Sequence, residues 1–214
     1  MGEVYHTLNR GVDGRHLFVD RADRERFLLA LNAFNTTDAV ALCEMDGFVE
    51  TDSRKKLVSI IAYTLLDNHF HICLREERQG GLTTFLRKLG TGYTHYFNKR
   101  HDRIGRLFQR KTQYKLVHND TYLQHLIAYI HLNVMDTVSS EWRKGQLGSG
   151  DVVKKVLVAY QWSSARAFLT GTPNPIIDHV VVNEILPPGC LRNHLQYINS
   201  WSARNFPEVG LRED

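Results

Sequence analysis

Residues 57–75 read LVSIIAYTLLDNHFHICLR, and the parsing of this stretch decides the fold. Leu57 to Leu66 is an almost unbroken apolar run, the pattern of a central strand. Asp67-Asn68 marks a turn, since both side chains hydrogen-bond their own backbone and interrupt regular structure. His69 to Arg75 then alternates as a second strand. His69, His71 and Cys73 share one face, and Phe70, Ile72 and Leu74 share the other, which faces a core.

Working outward from this hairpin, Val4 to Val12 reads as a first strand. Asp20 can cap a helix whose Phe27, Leu31 and Phe34 recur at helical spacing. Residues 36–56 are mixed and polar around Gly47 and suggest a strand with a turn. Downstream, Leu82, Phe85, Leu86, Leu89, Tyr93, Tyr96 and Phe97 form the stripe of a helix from Gly81 to Lys99. Gln113 to His118 is a short strand. Asn119 or Asp120 caps a last helix with Leu123, Ile127, Ile130 and Val134 on its buried side. Strand, helix, hairpin, helix, strand and helix in this order predict an α+β, ferredoxin-like antiparallel sheet covered by helices. Beyond Met135 the pattern loosens. Gly and Ser residues between Lys144 and Asp151, and Pro173, Pro175, Pro187 and Pro188, leave a partly helical C-terminal extension. The expected division is a catalytic domain over 1–135 and an extension over 136–214.

The bulk properties narrow the class. A chain of 214 residues has room for one good core and an appendage. No apolar run approaches the ~18 residues of a membrane span, and the opening MGEVYHTLNRGVDGR lacks a signal-peptide core, so the expectation is a cytoplasmic protein with no membrane partner. Cys43, Cys73 and Cys190 are odd in number and widely spaced, which argues against a disulfide framework or a thiolate zinc site. Of the net charge of +4, the segment 99–115 alone carries seven Lys and Arg against Asp102, leaving the remainder of the chain slightly acidic. Such a patch, interleaved with Phe108, Gln109 and Tyr114, reads as a polyanion contact; a solvated basic face is the bland alternative.

His69 and His71, two apart on one strand face, can direct two imidazoles to one cation. Alone, the pair fits ordinary structural histidines better than a metal site. Tyr129 and Asn133 are four apart, so they stack on one side of the last helix beside its apolar stripe. From there they can point into a cleft between helix and sheet.

Four runs carry a resemblance: Asn68-His69-Phe70-His71, Tyr93-Thr94-His95-Tyr96-Phe97-Asn98, Gly105-Arg106-Leu107-Phe108-Gln109 and Tyr129-Ile130-His131-Leu132-Asn133. Together they resemble the single-tyrosine HUH transposases, and within them the REP-associated tyrosine transposase group. The opening Asn9-Arg10-Gly11 and the later Tyr160, Trp162, Ser163 and Ser164 also fit that group. The likeness spans about residues 5 to 135, with a weaker echo to 168.

The resemblance implies a metal-dependent enzyme that nicks and rejoins single-stranded DNA with hairpin or palindromic ends, acting as a monomer or homodimer. Its motif assigns His69, His71 and Asn133 to a Mg²⁺ or Mn²⁺ ion and Tyr129 to the nucleophile, forming a 5′-phosphotyrosine. Asp67 stands where the group usually has proline, and Val134-Met135 replaces its usual Pro-Val. The candidate DNA contacts are Arg10, Lys99, Arg100, Arg103, Arg106, Phe108, Gln109, Arg110, Lys111 and Lys115.

A bound cation suits this chemistry because it polarises a phosphodiester that otherwise repels an attacking oxygen. Tyrosine, with an ordinary pKa of about 10, needs cationic help to act as a nucleophile, and the sequence identifies no separate base. The readings from other classes are a catalytically impaired DNA-binding protein of the same fold and an RNA-binding ferredoxin-like module. A zinc hydrolase using His95, His118 or His131 is a third. Tyr114 and Tyr122 are rival nucleophiles without a ligand-like partner one turn away.

Overall fold

The computed structural model describes residues 2–41, 47–48, 52–186 and 193–200. Strands β1 (Val4–Arg10), β2 (Val58–Leu66), β3 (His69–Glu76) and β4 (Gln113–Leu116) form one sheet in the order β2-β3-β1-β4, every pair antiparallel. Helices α1 (Arg21–Ala33) and α2 (Gly81–Arg100) connect them in the predicted order, and α3 (Asp120–Leu132) follows β4. This is the ferredoxin-like arrangement expected from the hairpin. Of the strand expected within 36–56, residues 42–46 and 49–51 lie outside the described residues. Ser53–Lys55 form a single 3-10 turn instead.

The register distributes side chains to the two faces. Residues directly opposite each other across an antiparallel pair point the same way. His71 lies opposite Leu8 and Thr64, His69 opposite Arg10 and Leu66, and Cys73 opposite His6. His6, Leu8 and Arg10 therefore share the histidine face, joined from β4 by Gln113 and Lys115. The other face carries Phe70, Ile72 and Leu74 and is covered by α1 and α2. There Phe27 packs on Phe70 at 5.1 Å between ring centroids and on Tyr93 at 4.8 Å. Asp20 caps α1 by accepting from the Asp23 backbone N–H. The two helices meet closely at Gly92, where a Cβ would stand 2.2 Å from the Phe34 ring.

The histidine face is enclosed, as the expected cleft between the last helix and the sheet implies. It is covered by α3, itself covered by the extension. The extension contains α4 (Gly150–Ala159), α5 (Ala165–Thr170), α6 (His179–Ile185) and α7 (His194–Asn199). Buried on both sides, α3 has almost no polar flank: Leu123 and every residue from His125 to Leu132 are buried. The sequence stripe is real, but the helix is enclosed rather than amphipathic.

The extension is anchored by hydrogen bonds as well as by apolar packing. Residues 162–164 run along the outer edge of β2, with Leu65 N–H donating to the Trp162 carbonyl and Ser164 N–H to that of Tyr63. His131 on α3 joins His194 on α7 at 2.8 Å and the Ser164 hydroxyl at 2.7 Å. This satisfies buried polar groups that would otherwise be costly to enclose. One continuous core runs from Phe18 and Phe27 through the sheet to Trp142, Leu157 and Ile198.

Candidate functional site

Two separate elements bring Tyr129 and the histidines together. Strand alternation puts His69 and His71 on one face of β3, and the capping of α3 by Asn119, which accepts from Tyr122 N–H at 2.8 Å, starts the helix that crosses that face. The Tyr129 ring stands edge-on to His71 at 5.5 Å between centroids. It is also edge-on to His6 at 6.1 Å. His69 and His71 are themselves 5.2 Å apart. Tyr129 is 6% exposed, His69 7%, and His71 and Asn133 fully buried, so this is an enclosed site with a narrow approach.

His6 is the member that sequence reasoning missed. Its Nε2 lies 3.0 Å from His71 Nδ1, and the two rings stack at 5.3 Å. The signal was present in the alternation of β1, but the partner of β1 depends on sheet order, which one sequence does not state. On the other side, His69 Nδ1 donates to Asn68 Oδ1 at 2.7 Å, which fixes the tautomer with the lone pair on Nε2. Burial first, and then the neighbouring His69, His6, Arg143 and Arg10, keep His71 well below its ordinary pKa. Imidazole in this state is neutral, the form that ligates metal.

The donor chemistry of the histidines fits a divalent ion. Each Nδ1 is held by a neighbour, the arrangement that orients metal-ligating imidazoles. Asn133 is placed differently. It caps the C-terminus of α3, its amide nitrogen donates to the Tyr129 carbonyl at 2.7 Å, and its carbonyl oxygen accepts from Arg143 Nη2 at 2.9 Å. The asparagine oxygen thus already faces a cation supplied by the chain. No cluster of three His, Cys, Asp or Glu suited to a metal occurs among the described residues.

The candidate DNA contacts divide between the two faces of the sheet. Lys99, Arg103, Arg106, Phe108, Arg110 and Lys111 line an open groove of 1370 Å³ on the α2 side. Arg87 and His95 of α2 also line it. Tyr114, 49% exposed, closes it along β4. The groove wall is stiffened by Arg103, which donates to Asn98 Oδ1 at 2.8 Å, and by Asn98, which donates to the Gly105 carbonyl at 2.8 Å.

Arg10 and Lys115 lie on the histidine face instead, Arg10 opposite His69 and Lys115 opposite His6. Gln109 uses its backbone N–H on the Arg10 carbonyl. Arg100, at the surface, is engaged by carboxylates, pairing with Asp20 at 2.6 Å and with fully buried Asp23 at 2.5 Å. Asp23 also accepts from Tyr96 and His101, so it ties the end of α2 to the start of α1. Tyr93 and Phe97 are core residues, as their helical stripe implied.

No protein-family model matches the chain, and no curated protein matches it. Among the described residues, no helix is long and apolar enough to cross a membrane. A solved structure of a REP-associated tyrosine transposase bound to a REP hairpin superposes with a TM-score of 0.52 at 14% identity, covering 81% of this chain and 83% of that one. At this identity the likeness establishes a shared fold, a four-stranded antiparallel sheet with helices on both faces.

Proposed function

We propose that the chain is a metal-dependent single-strand DNA transposase, a strand-transferase in which Tyr129 is the nucleophile. The observation that carries this reading is the meeting of Tyr129, from α3, with His71 and His6, from β3 and β1, in one enclosed cluster. The solved neighbour was bound to a REP hairpin, and the shared fold supports a DNA hairpin as the partner here. A duplex stem would lie in the basic groove, with Lys99, Arg103, Arg106, Arg110 and Lys111 along its phosphates. The unpaired strand would pass β4 toward the histidine face, where Arg10 and Lys115 await it.

His69 and His71 would hold Mg²⁺ or Mn²⁺ through Nε2, and Asn133 would join as a third donor by giving up its bond from Arg143. When bound, the ion supplies charge neutralisation at the scissile phosphate. Tyr129 attacks phosphorus, its oxygen forming the new phosphoester as the bond to the 3′ oxygen breaks. The phenol loses a proton and the 3′ oxygen gains one, so the exchange is proton-neutral. A 5′-phosphotyrosine keeps the ester and allows rejoining to another 3′-OH.

The test is incubation with single-stranded oligonucleotides from hairpin-forming DNA flanking the gene, with Mg²⁺ or Mn²⁺, scored for an SDS-resistant adduct. The expected result is an adduct carrying the fragment 3′ of the break, joined through its 5′-phosphate, and lost in Tyr129→Phe and in EDTA. Tight hairpin binding without an adduct under any condition sinks the enzymatic reading. It would leave the DNA-binding protein of the same fold, a reading that the hold of Arg143 on Asn133 favours.

A further inference from the structure

We propose that Arg143 is a second catalytic residue of this site, the guanidinium that contacts the scissile phosphate beside Tyr129. The inference rests on the nucleophile assigned above and adds a group that the sequence did not single out.

Arg143 arrives from the extension on the 3-10 turn Ser140–Lys144, started by Ser139, whose hydroxyl accepts from Glu141 N–H at 3.2 Å. Trp142, buried at its side, donates from Nε1 to Asp136 Oδ1 at 2.7 Å. The Arg143 guanidinium grips the same carboxylate, Nη2 to Oδ2 at 2.6 Å and Nε to Oδ1 at 3.3 Å. Its plane packs near the Trp142 ring at 4.7 Å. Nη2 also donates to Asn133 Oδ1, and Nη1 points at the Tyr129 hydroxyl at 3.4 Å. Its position is therefore set before any substrate arrives, which spares the ordering entropy that a mobile arginine would lose on binding.

Three features assign it to phosphate rather than to structure alone. The contact with the phenol, at 3.4 Å, is longer than the usual 2.7–3.2 Å of an N–H···O bond, so a phosphate oxygen at normal distance improves on it. The Arg143 side chain is 32% exposed against 6% for Tyr129, so a phosphodiester approaching the phenol from solvent meets the guanidinium. The planar fork of arginine matches two phosphate oxygens and keeps its charge at every working pH. Arg10, opposite His69 on the same face, places a second guanidinium across the histidines. Its charge and that of Arg143 both reach His71. During transfer the phosphorus–O3′ bond breaks as the Tyr129 oxygen bonds phosphorus, and Arg143 donates hydrogen bonds to the non-bridging oxygens throughout.

The full-length chain, Arg143→Gln and Arg143→Lys are compared by single-turnover adduct formation with the hairpin oligonucleotide and, separately, by its dissociation constant. Arg143→Gln is expected to slow adduct formation by roughly 100-fold, the usual loss for one preorganised donor, while binding changes less than about threefold. Arg143→Lys should recover part of the rate. Adduct formation at the wild-type rate in Arg143→Gln overturns the proposal, and so does an equal loss of rate and binding in both variants. A readout independent of cleavage follows the Arg143 Nε–Hε resonance, identified by its absence in Arg143→Gln, during titration with dimethyl phosphate. A saturable shift supports the contact even if the wild type cleaves nothing, and no shift overturns it. Failure of the Tyr129 reading is thereby distinguished from failure of this one.

Discussion

Acidification from pH 7 to pH 5 should unfasten the extension from the core, and the size of the effect can be worked from two histidines. His125 and His194 are buried at the junction of α3 and α7, where Tyr197 lies 3.4 Å from His125 and His131 lies 2.8 Å from His194. Burial lowers both to about 4. In the unfolded chain each returns to the ordinary value near 6.5. A base with a depressed folded pKa contributes stability that is present above its unfolded value and lost as the pH falls toward the folded one. At pH 5 each histidine is charged in the unfolded chain and nearly neutral in the fold, so each costs about 2 kcal/mol relative to pH 7. Together they remove about 4 kcal/mol from a total of roughly 5–15 kcal/mol. With a urea dependence of about 2–3 kcal/mol per molar, the midpoint should fall by roughly 1.3–2 M. Urea titrations at pH 7, 6 and 5 measure it, and His194→Asn should make the pH dependence shallower. A midpoint that is constant across this range, or that rises on acidification, refutes the reasoning.

Asp23→Asn removes the buried charge that Arg100, His101 and Tyr96 share, and should destabilise the fold by ~2–3 kcal/mol, lowering Tm by roughly 5–10 °C in a thermal melt. Gly92→Ala gains helix propensity but drives a Cβ into the Phe34 ring, so the net effect by chemical denaturation should be a loss of about 1–3 kcal/mol. Arg106→Ala and Lys111→Ala should each weaken binding of a hairpin oligonucleotide and reduce its salt slope by about one, measured by fluorescence anisotropy across a salt series. An unchanged slope in both would remove the groove from the phosphate path.

Much of this was legible because it is local. The alternation of His69, Phe70, His71, Ile72, Cys73 and Leu74 is intrinsic to a strand, and Asp20 and Asn119 cap their helices as their side-chain chemistry dictates. The pairing of Tyr129 with Asn133 needed only the pitch of a helix. What stayed hidden depends on contacts distant in the chain. His6 joins the cluster because β1 lies beside β3, 65 residues away, and Arg143 reaches Asn133 because a 3-10 turn doubles back over the end of α3. The basic segment looked like one patch in sequence. Strand pleating divides it, sending Lys115 to one face and Tyr114 to the other, while Asp20 and Asp23 engage the Arg100 guanidinium. The enclosure of α3 was hidden for a related reason, since the extension that covers it packs on strands distant in the sequence.

The short outer strand β4, only four residues long, separates the basic groove from the cluster around Tyr129. A ligand that touches both must turn around the rim of a sheet whose thickness is on the order of 10 Å. Double-stranded DNA keeps its direction over about 50 nm and cannot follow so tight a corner, whereas an unpaired strand can. On the proposed reading, the rim therefore acts as a mechanical filter: it would admit to Tyr129 only the melted portion of a DNA whose stem stays behind, selecting by bending stiffness before any base is read.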